Sequence, residues 1–408
     1  MLPNMKKSVF VIDEHFSSKY NGVGTFISTI LPCIKDLNME LNLISFNETV
    51  HDFTIETLED YTIYKIPFYQ GTFLENSIPA LSILKLYIND SKDNAFIVSH
   101  FPSHHFLRTL KKVFPKSQRI TIIHDQGWTT PLLGNSKLYK ELLKKKPRQI
   151  SAELQKTIRK YEQTEQKMYR LSDHIVCLSP STFELLQDVY QVTTEKISLI
   201  PNGIVSTEPK NNRAKIRKDL GIRTDEKVLL FAGRAVKAKG IFHLLDAFEK
   251  LWPDNRHTRL VIAGITGSLQ EYCLHIPNSI AHVTFTGLIS KEKLAKWYQA
   301  ADIGILPSYT EQCSYTGLEM MASKLLIVTT NGNGLRDMFN DKCALIVKAC
   351  ENTMSEELTD TLKNALTLST EERDRYVNEA YNRVKNIFSM ERMRSGYSQM
   401  LNMVFNGK

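Results

Sequence analysis

The spacing of apolar residues predicts strands that alternate with helices along most of the chain. Short apolar runs bounded by polar or turn residues recur at 8–12, 41–45, 62–65, 95–99, 119–123, 174–178 and 197–200. A second series follows at 228–232, 259–263, 283–286, 303–306 and 325–329. Strands that alternate with helical segments favour parallel sheets covered by helices, so the predicted fold class is α/β.

A turn-rich stretch separates the two series of strands. Ile200-Pro201-Asn202-Gly203, followed by the polar stretch 206–212, is typical of a domain boundary. We therefore predict one domain at 1–203 and a second at 204–388. The remaining segment, 389–408, is predicted to contain a helix, with apolar residues at positions 393, 397, 400, 401 and 404.

Length and composition indicate a globular protein. The chain has 408 residues, enough for two or three domains, and 42% of them are hydrophobic, which argues against disorder. No apolar run approaches the ~18 residues of a membrane-spanning helix, and the first run is too short for a signal peptide. Six scattered cysteines without a C-x-x-C pair argue against disulfides and metal binding, so we expect a cytoplasmic protein.

The net charge of +8 is concentrated in one segment. Residues 137–170 contain eleven Lys or Arg against four Asp or Glu, a surplus of seven. Such helices are suited to peripheral contact with an anionic membrane, here the inner face, or with an acidic acceptor; a solvated helix pair explains the charge equally well. No nucleic-acid-binding motif accompanies the charge, so no nucleic acid partner is expected.

The stretch 307–337 contains the most informative chemistry. Glu311 and Glu319 are eight positions apart, and between them Ser314, Tyr315, Thr316 and Gly317 are predicted to lead from a loop into a helix at 318–323. Amides at a helix start attract phosphate, whereas carboxylates accept hydrogen bonds from neutral hydroxyls. A nucleotide-sugar offers both groups. The alternative is a surface loop with two solvated glutamates.

A second loop favours the nucleotide-sugar. Gly233-Arg234-Ala235-Val236-Lys237-Ala238-Lys239-Gly240 follows the strand 228–232 and holds spaced cations between glycines. With the paired glutamates, this loop resembles the retaining, group 1 glycosyltransferases of family 4. The resemblance implies that Arg234 and Lys239 contact the donor diphosphate at Gly233, that Glu311 contacts the sugar, and that Glu319 contacts the ribose. Ser314 stands where the family often has glycine.

The resemblance also implies a GT-B fold. In that fold two Rossmann-like domains face each other across a cleft, the first binding the acceptor and the second the nucleotide-sugar. The last helix, 389–408, then crosses back to the first domain.

The first half supplies further candidates at strand ends. Gly22 and Gly24 precede a helix predicted at 25–36, and their lack of side chains lets backbone approach a ligand. They match approximately a family glycine pair near donor phosphate and acceptor. His100 and His124 each follow a predicted strand. A lone histidine there is more often structural, but the His124-Asp125 step resembles the family histidine that contacts the donor sugar.

The absence of two motifs shapes the predicted mechanism. No two aspartates are spaced as Asp-x-Asp, the signature of metal-bound nucleotide-sugars in the other large transferase fold, and no P-loop is present. We therefore predict a metal-independent, retaining glycosyltransferase of the hexosyltransferase type, without a cofactor. The expected donor is a UDP- or GDP-sugar, and the acceptor is a glycan, a lipid-linked group or a peptide.

Two other functions remain open from the sequence. A nucleotide-sugar epimerase or hydrolase would act without an acceptor. A non-catalytic subunit that binds sugar or peptide is a different class, but the presence of both Arg234 and Lys239 argues against it.

Overall fold

The computed structural model describes residues 6–14, 22–35, 37–67, 73–99, 103–144, 150–206, 212–264 and 267–407. The chain forms two compact units: Met1–Gly203 with Met390–Lys408, and Ile204–Ser389. Of the polar stretch at 206–212, residues 207–211 lie outside the described part, as does His100.

The first unit is built on an eight-stranded sheet in the order β3-β4-β2-β1-β5-β6-β7-β8. Its strands are β1 (Ser8–Glu14), β2 (Glu40–Glu48), β3 (Thr54–Thr57), β4 (Thr62–Pro67), β5 (Asn94–Val98), β6 (Gln118–Ile123), β7 (His174–Cys177) and β8 (Ile197–Leu199). Only β3 runs antiparallel to its neighbour. Every residue of β5 and β7 is buried, as expected for strands that helices cover on both faces.

The helices of the first unit include the end of the chain. They are Gly22–Lys35, Phe73–Leu84, His104–Val113, Ser136–Lys144, Ala152–Leu171, Pro180–Asp188 and Met390–Asn406. The last helix buries Met393, Tyr397, Met400 and Leu401. Its Gly396 packs so closely on Ile200 that an added Cβ would lie 2.9 Å from Ile200 Cγ2. The predicted return of the last helix to the first unit is therefore confirmed.

The second unit contains a six-stranded parallel sheet in the order β11-β10-β9-β12-β13-β14. These strands are β9 (Lys227–Ala232), β10 (Thr258–Ala263), β11 (Val283–Gly287), β12 (Ile303–Leu306), β13 (Leu326–Thr330) and β14 (Leu345–Val347). The helices are Arg213–Asp219, Ile241–Leu251, Leu269–His275, Lys291–Ala300, Tyr315–Ala322, Leu335–Met338, Met354–Thr367 and Thr370–Ile387. The strand order reverses between β9 and β12, and ligands of such sheets bind where the order reverses, outside the carboxyl ends of the strands.

Four local expectations differ from the structure. The short strands β3 and β14 were not predicted, because β3 is a largely exposed edge strand and β14 has three residues. The first helix begins at Gly22 rather than 25, so Gly22 and Gly24 lie in its first turn. The helix after β12 begins at Tyr315 rather than 318, because the Ser314 side chain caps it by accepting from the Gly317 N–H.

Candidate functional site

The loops after β9 and β12 meet where the strand order of the second unit reverses. Gly240 has a φ of 68°, and an added Cβ there would lie 1.9 Å from the Pro307 carbonyl oxygen. The Tyr309 N–H donates to the Ala238 carbonyl at 3.0 Å. Only glycine fits at position 240, so the two motifs found in the sequence form one continuous surface.

Lys239 and Glu311 are joined directly. Lys239 Nζ lies 2.6 Å from Glu311 Oε1, and the two side chains are 22% and 15% exposed. The Ser308 hydroxyl donates to the same Glu311 oxygen at 3.0 Å. The residues predicted to contact diphosphate and sugar are therefore adjacent and, without a ligand, neutralise each other.

Arg234 differs from Lys239 in its surroundings. Its side chain is exposed and forms no ion pair with any residue in the described part of the chain. The backbone beside it is fixed, because the Gly233 N–H donates to Ala263 O at 2.9 Å and Gly264 packs against the Gly233 carbonyl. The guanidinium is thus an exposed cation on a loop whose backbone is fixed, where an anion can reach it.

Glu319 is held by a tyrosine instead of a cation. The Tyr298 hydroxyl donates to Glu319 Oε2 at 2.8 Å. Burial raises the pKa of the Glu319 carboxyl, while the Tyr298 hydrogen bond and the nearby Lys291 oppose that change. A partly shielded carboxylate of this kind is suited to accept hydrogen bonds from neutral hydroxyls.

The four residues at the start of the helix Tyr315–Ala322 have different surroundings. Ser314 is buried, caps the helix, and donates its own N–H to Met338 Sδ at 3.1 Å. Gly317 is a packing position, since an added Cβ would meet Leu306, Met338 and Phe339 at 3.2 Å each. Tyr315 is also buried and Thr316 is half-buried. Contact with a donor phosphate stays a prediction for all four.

A third loop, after β13, supports the backbone of Glu311. The Glu311 N–H donates to Asn333 O at 2.9 Å. Gly334 has a φ of 76°, and an added Cβ would lie 1.9 Å from the Glu311 carbonyl oxygen. Gly334 thus lets this loop pack closely against the backbone of Glu311. Glu311 is therefore held at its N–H by Asn333 and at its carbonyl by Gly334.

A histidine–tyrosine contact that was not predicted from the sequence lies beside this surface. His243 Nε2 lies 2.7 Å from the Tyr309 hydroxyl. Burial lowers the pKa of His243 and raises that of Tyr309 to about 12, so both are neutral near pH 7. The available signal was position, since His243 follows Gly240 by one helical turn and Tyr309 lies two residues before Glu311.

The first unit assembles a second group of candidates. His124 follows β6, is half-buried, and places Nε2 2.9 Å from the Ser99 hydroxyl at the end of β5. Its ring lies edge-on to Phe26, with centroids 4.5 Å apart. Phe26 belongs to the helix that begins at Gly22, so the structure brings His124 and the helix carrying Gly22 and Gly24 into contact.

The basic segment 137–170 folds as the helices Ser136–Lys144 and Ala152–Leu171, with 145–149 outside the described residues. Lys156, Lys160 and Lys167 are exposed, whereas Lys140 pairs with Asp188 at 2.7 Å. No helix in the described ranges is long and apolar enough to cross a membrane. The same ranges contain no cluster of three or more His, Cys, Asp or Glu side chains arranged to hold a metal ion.

Two protein families match the two halves of the chain. The family described as Glycosyltransferase Family 4 matches residues 20–208, and Glycosyl transferases group 1 matches residues 212–383. Lipopolysaccharide 1,2-N-acetylglucosaminetransferase of Salmonella typhimurium is 26% identical over 72% of this chain and 78% of its own. Alpha-monoglucosyldiacylglycerol synthase of Streptococcus pneumoniae is 33% identical over 42% of this chain and 40% of its own. The matches to four of the curated relatives span only 37–44% of those proteins.

Similarity to solved structures extends over nearly the whole chain. Sucrose-phosphate synthase from Thermosynechococcus elongatus superposes with a TM-score of 0.76 at 17% identity, covering 99% of this chain and all of that one. At such low identity the likeness concerns the fold, and it confirms the predicted GT-B class. Since the two family matches together cover 20–208 and 212–383, the chain belongs to the group 1, family 4 glycosyltransferases.

Proposed function

We propose that this protein transfers a sugar from a nucleotide-sugar, a UDP- or GDP-sugar, to an acceptor hydroxyl, with retention of configuration and without a metal ion. The observation that supports this proposal best is the Lys239–Glu311 pair at the switch point of the second sheet. It combines a cation for phosphate with a carboxylate for a sugar on one rigid surface.

Donor binding would exchange the partners of this pair. A diphosphate carries more negative charge than one carboxylate, so it competes for Lys239 through charge-assisted hydrogen bonds of roughly 1.5–3 kcal/mol each. Glu311, relieved of its cation, then accepts hydrogen bonds from sugar hydroxyls. In this way the ligand-free pair keeps both groups in place without burying an unpaired charge.

The chemical step follows from the growth of negative charge on the departing diphosphate. Lys239 and Arg234 stabilise that charge, and Arg234 can bind two phosphate oxygens at once. Glu319 binds the ribose, and His124 contacts the donor sugar. Front-face displacement, in which the leaving phosphate takes the proton of the acceptor hydroxyl, accounts for retention without a carboxylate nucleophile.

The acceptor we favour is a lipid-linked group at an anionic membrane surface. Two of the relatives have names that refer to a diacylglycerol glycolipid and to lipopolysaccharide. The helix Ala152–Leu171 presents Lys156, Lys160 and Lys167 to solvent. Each lysine near an anionic bilayer contributes roughly 1 kcal/mol of attraction at moderate salt.

A thermal-shift screen with UDP-glucose, GDP-mannose, dTDP-glucose and ADP-glucose tests the donor class. A donor at about 100 times its dissociation constant adds roughly 2.7 kcal/mol to the free energy of unfolding. The stabilisation should persist in excess EDTA. No shift with UDP-glucose or GDP-mannose, or activity lost with EDTA and restored by magnesium or manganese, would contradict the proposal. Altered sugar formed without an acceptor would favour the epimerase or hydrolase.

The membrane contact is tested by charge reversal. Lys156→Glu, Lys160→Glu and Lys167→Glu together should weaken binding to vesicles containing phosphatidylglycerol by at least tenfold at low salt. The matched control reverses Lys215, Lys218 and Lys227, which are exposed in the second unit. Equal binding by the two triple variants would favour the solvated-helix interpretation.

A further inference from the structure

The first unit contains a buried carboxylate that the proposed mechanism does not use. Glu165, on the helix Ala152–Leu171, is 3% exposed. Its Oε1 accepts the Gly127 N–H at 2.6 Å, and its Oε2 accepts from the Tyr190 hydroxyl. Among the described residues, no lysine, arginine or histidine pairs with it, so only neutral donors stabilise its charge.

The surroundings of Glu165 make its charge costly. Burial raises its pKa to about 7, and the titratable groups that face it in the described part of the chain carry no positive charge. They are Glu162 and Tyr169 on its own helix, Asp125 on the loop after β6, Tyr139 on the helix Ser136–Lys144, and Tyr190 beyond the helix Pro180–Asp188. A buried carboxylate without a cation lowers stability, so it is a candidate for a functional role.

Glu165 is hydrogen-bonded to the loop that carries His124. Gly127 lies three residues after His124, and an added Cβ there would lie 2.2 Å from the Tyr161 ring. Tyr161 and Glu165 are four positions apart and therefore share one face of their helix. The glycine is enclosed by the Tyr161 ring on one side and hydrogen-bonded to Glu165 through its N–H.

Further hydrogen bonds involve Asp125, the residue next to His124, and fix the rest of the loop. Asp125 Oδ1 accepts from the Gln126 N–H at 2.8 Å and from the Thr129 hydroxyl at 2.7 Å. The Gln126 side chain in turn contacts the Tyr169 hydroxyl at 3.4 Å. The loop 124–129 is thus fixed to the helix Ala152–Leu171 through Glu165 and Tyr169.

The direction of the hydrogen bonds fits an ionised Glu165. The Gly127 N–H can only donate, and the Tyr190 hydroxyl donates to the other carboxylate oxygen. Tyr139 then donates to Tyr190, whose oxygen lies 2.7 Å away. A protonated Oε2 would donate to Tyr190, and the Tyr190 hydroxyl would then donate to Tyr139. Tyr139 would no longer have the Tyr190 oxygen as an acceptor. Trp128 is stacked on Tyr139 with centroids 4.5 Å apart, so its fluorescence should report the change.

We propose that ionised Glu165 is a positioning residue that holds the loop 124–129 and presents His124 for sugar transfer. The proposal rests on the role of His124 in the proposed function. Protonation of Glu165 loosens the loop, so transfer should decline as the pH falls through the range in which Glu165 takes up a proton.

The test compares wild type with Glu165→Gln, and Glu153→Gln serves as the control because it removes an exposed charge from the same helix. The pKa of Glu165 is about 7 in the folded protein and about 4.3 in the unfolded chain, so between these pH values the folded state binds more protons. The free energy of unfolding of wild type therefore decreases as the pH rises from about 4.3 to about 7. Glu165→Gln should therefore have a higher unfolding midpoint than wild type at pH 8 and an equal one at pH 4. A residue that only supports the fold would instead lower the midpoint at both pH values.

Fluorescence and kinetics complete the test. Wild type should show a change in Trp128 fluorescence near pH 7 that is absent from Glu165→Gln. The other two tryptophans lie in the second unit, so their signals cancel when the pH titration of the variant is subtracted from that of wild type. At pH 8, Glu165→Gln should transfer sugar up to about 100-fold more slowly, because small displacements of a catalytic group cost that much. Binding of the free nucleoside diphosphate should be unchanged, since its proposed contacts do not include His124. Wild-type turnover with an unaltered pH profile would overturn the proposal.

A second variant keeps the proposal testable if Glu165→Gln does not fold. Tyr190→Phe removes a donor that stabilises the ionised carboxylate, so the Trp128 transition should move to higher pH. An unmoved transition would refute the network. If wild type transfers no sugar at all, the proposed function fails, whereas the unfolding and fluorescence measurements still decide whether Glu165 holds the loop.

Discussion

Two carboxylates, one in each unit, are shielded from solvent in different ways. Glu311 lies 2.6 Å from the ammonium group of Lys239, whereas Glu165 accepts from an amide and a hydroxyl and pairs with no cation among the described residues. The first arrangement can be opened by an anionic ligand that competes for the cation. The second can be opened by protonation of the carboxylate, because none of the described residues supplies a cation to it. We therefore expect the second unit to respond to a donor and the first unit to respond to pH.

The largest expected effect concerns the cations of the second unit. Arg234→Ala and Lys239→Ala should each lower kcat by roughly 10²–10³ with a smaller change in donor KM, because their contacts strengthen as charge develops on the phosphate. Arg234→Lys should retain part of the rate, since it keeps the charge and loses the two-pronged contact. Donor turnover of the three variants, with folding checked by circular dichroism, measures this.

Solvated cations would behave differently. An exposed charge contributes at most about 1 kcal/mol, so each substitution would then change kcat only a few-fold. Near-wild-type turnover in all three variants would remove the distinction between the two carboxylates, because Lys239 would then be only a structural partner of Glu311.

The second prediction tests whether the close approach of the loop after β9 to the loop after β12 is needed for stability and donor binding. Gly240→Ala places a Cβ against the Pro307 carbonyl, whereas Gly221 has a similar φ of 66° with nothing within 4 Å. Gly221→Ala should cost only the backbone strain, about 1–2 kcal/mol of unfolding free energy. Gly240→Ala should cost at least twice as much and abolish donor binding. Equal losses in urea unfolding would show that the loops do not need this close approach.

The third prediction concerns Glu319, whose oxygen is shared with Tyr298. Glu319→Ala should weaken binding of the free nucleoside diphosphate by about 10- to 100-fold, since a hydrogen bond to a charged group contributes roughly 1.5–3 kcal/mol. Tyr298→Phe should have a smaller effect, because it leaves the carboxylate in place. Calorimetric titration of the nucleoside diphosphate measures both. An unchanged dissociation constant in Glu319→Ala would refute a ribose contact.

The second unit was largely predictable because its signals are local in sequence. Gly233 to Gly240 follows one strand and Glu311 to Glu319 follows another, so strand-end position and residue type were enough to single them out. Their ion pair was not predictable. It depends on the approach of Gly240 to Pro307, a contact between positions 67 residues apart in the chain.

The first unit was less predictable because its important contacts are made across the sheet layers. Glu165 occupies a segment counted only as basic, and its burial follows from packing against Gly127 and Tyr190. A helix start at Gly22 was also missed, since two of the first three residues are glycine, which is a poor helix former, and a single buried Val23 gives too little periodicity to reveal a helix. In physical terms, charge patterns in sequence do not reveal which carboxylate is desolvated.

The central claim, that Lys239 and Glu311 form the donor site and exchange partners on binding, is tested most directly by calorimetric titration of Glu311→Gln. We expect this substitution to have opposite effects on the two ligands. Free nucleoside diphosphate should bind a few-fold more tightly, because Lys239 is released and a repelling charge is gone. The intact nucleotide-sugar should lose the additional affinity that its sugar provides in wild type. Weaker binding of the nucleoside diphosphate, or two isotherms identical to those of wild type, would contradict the account.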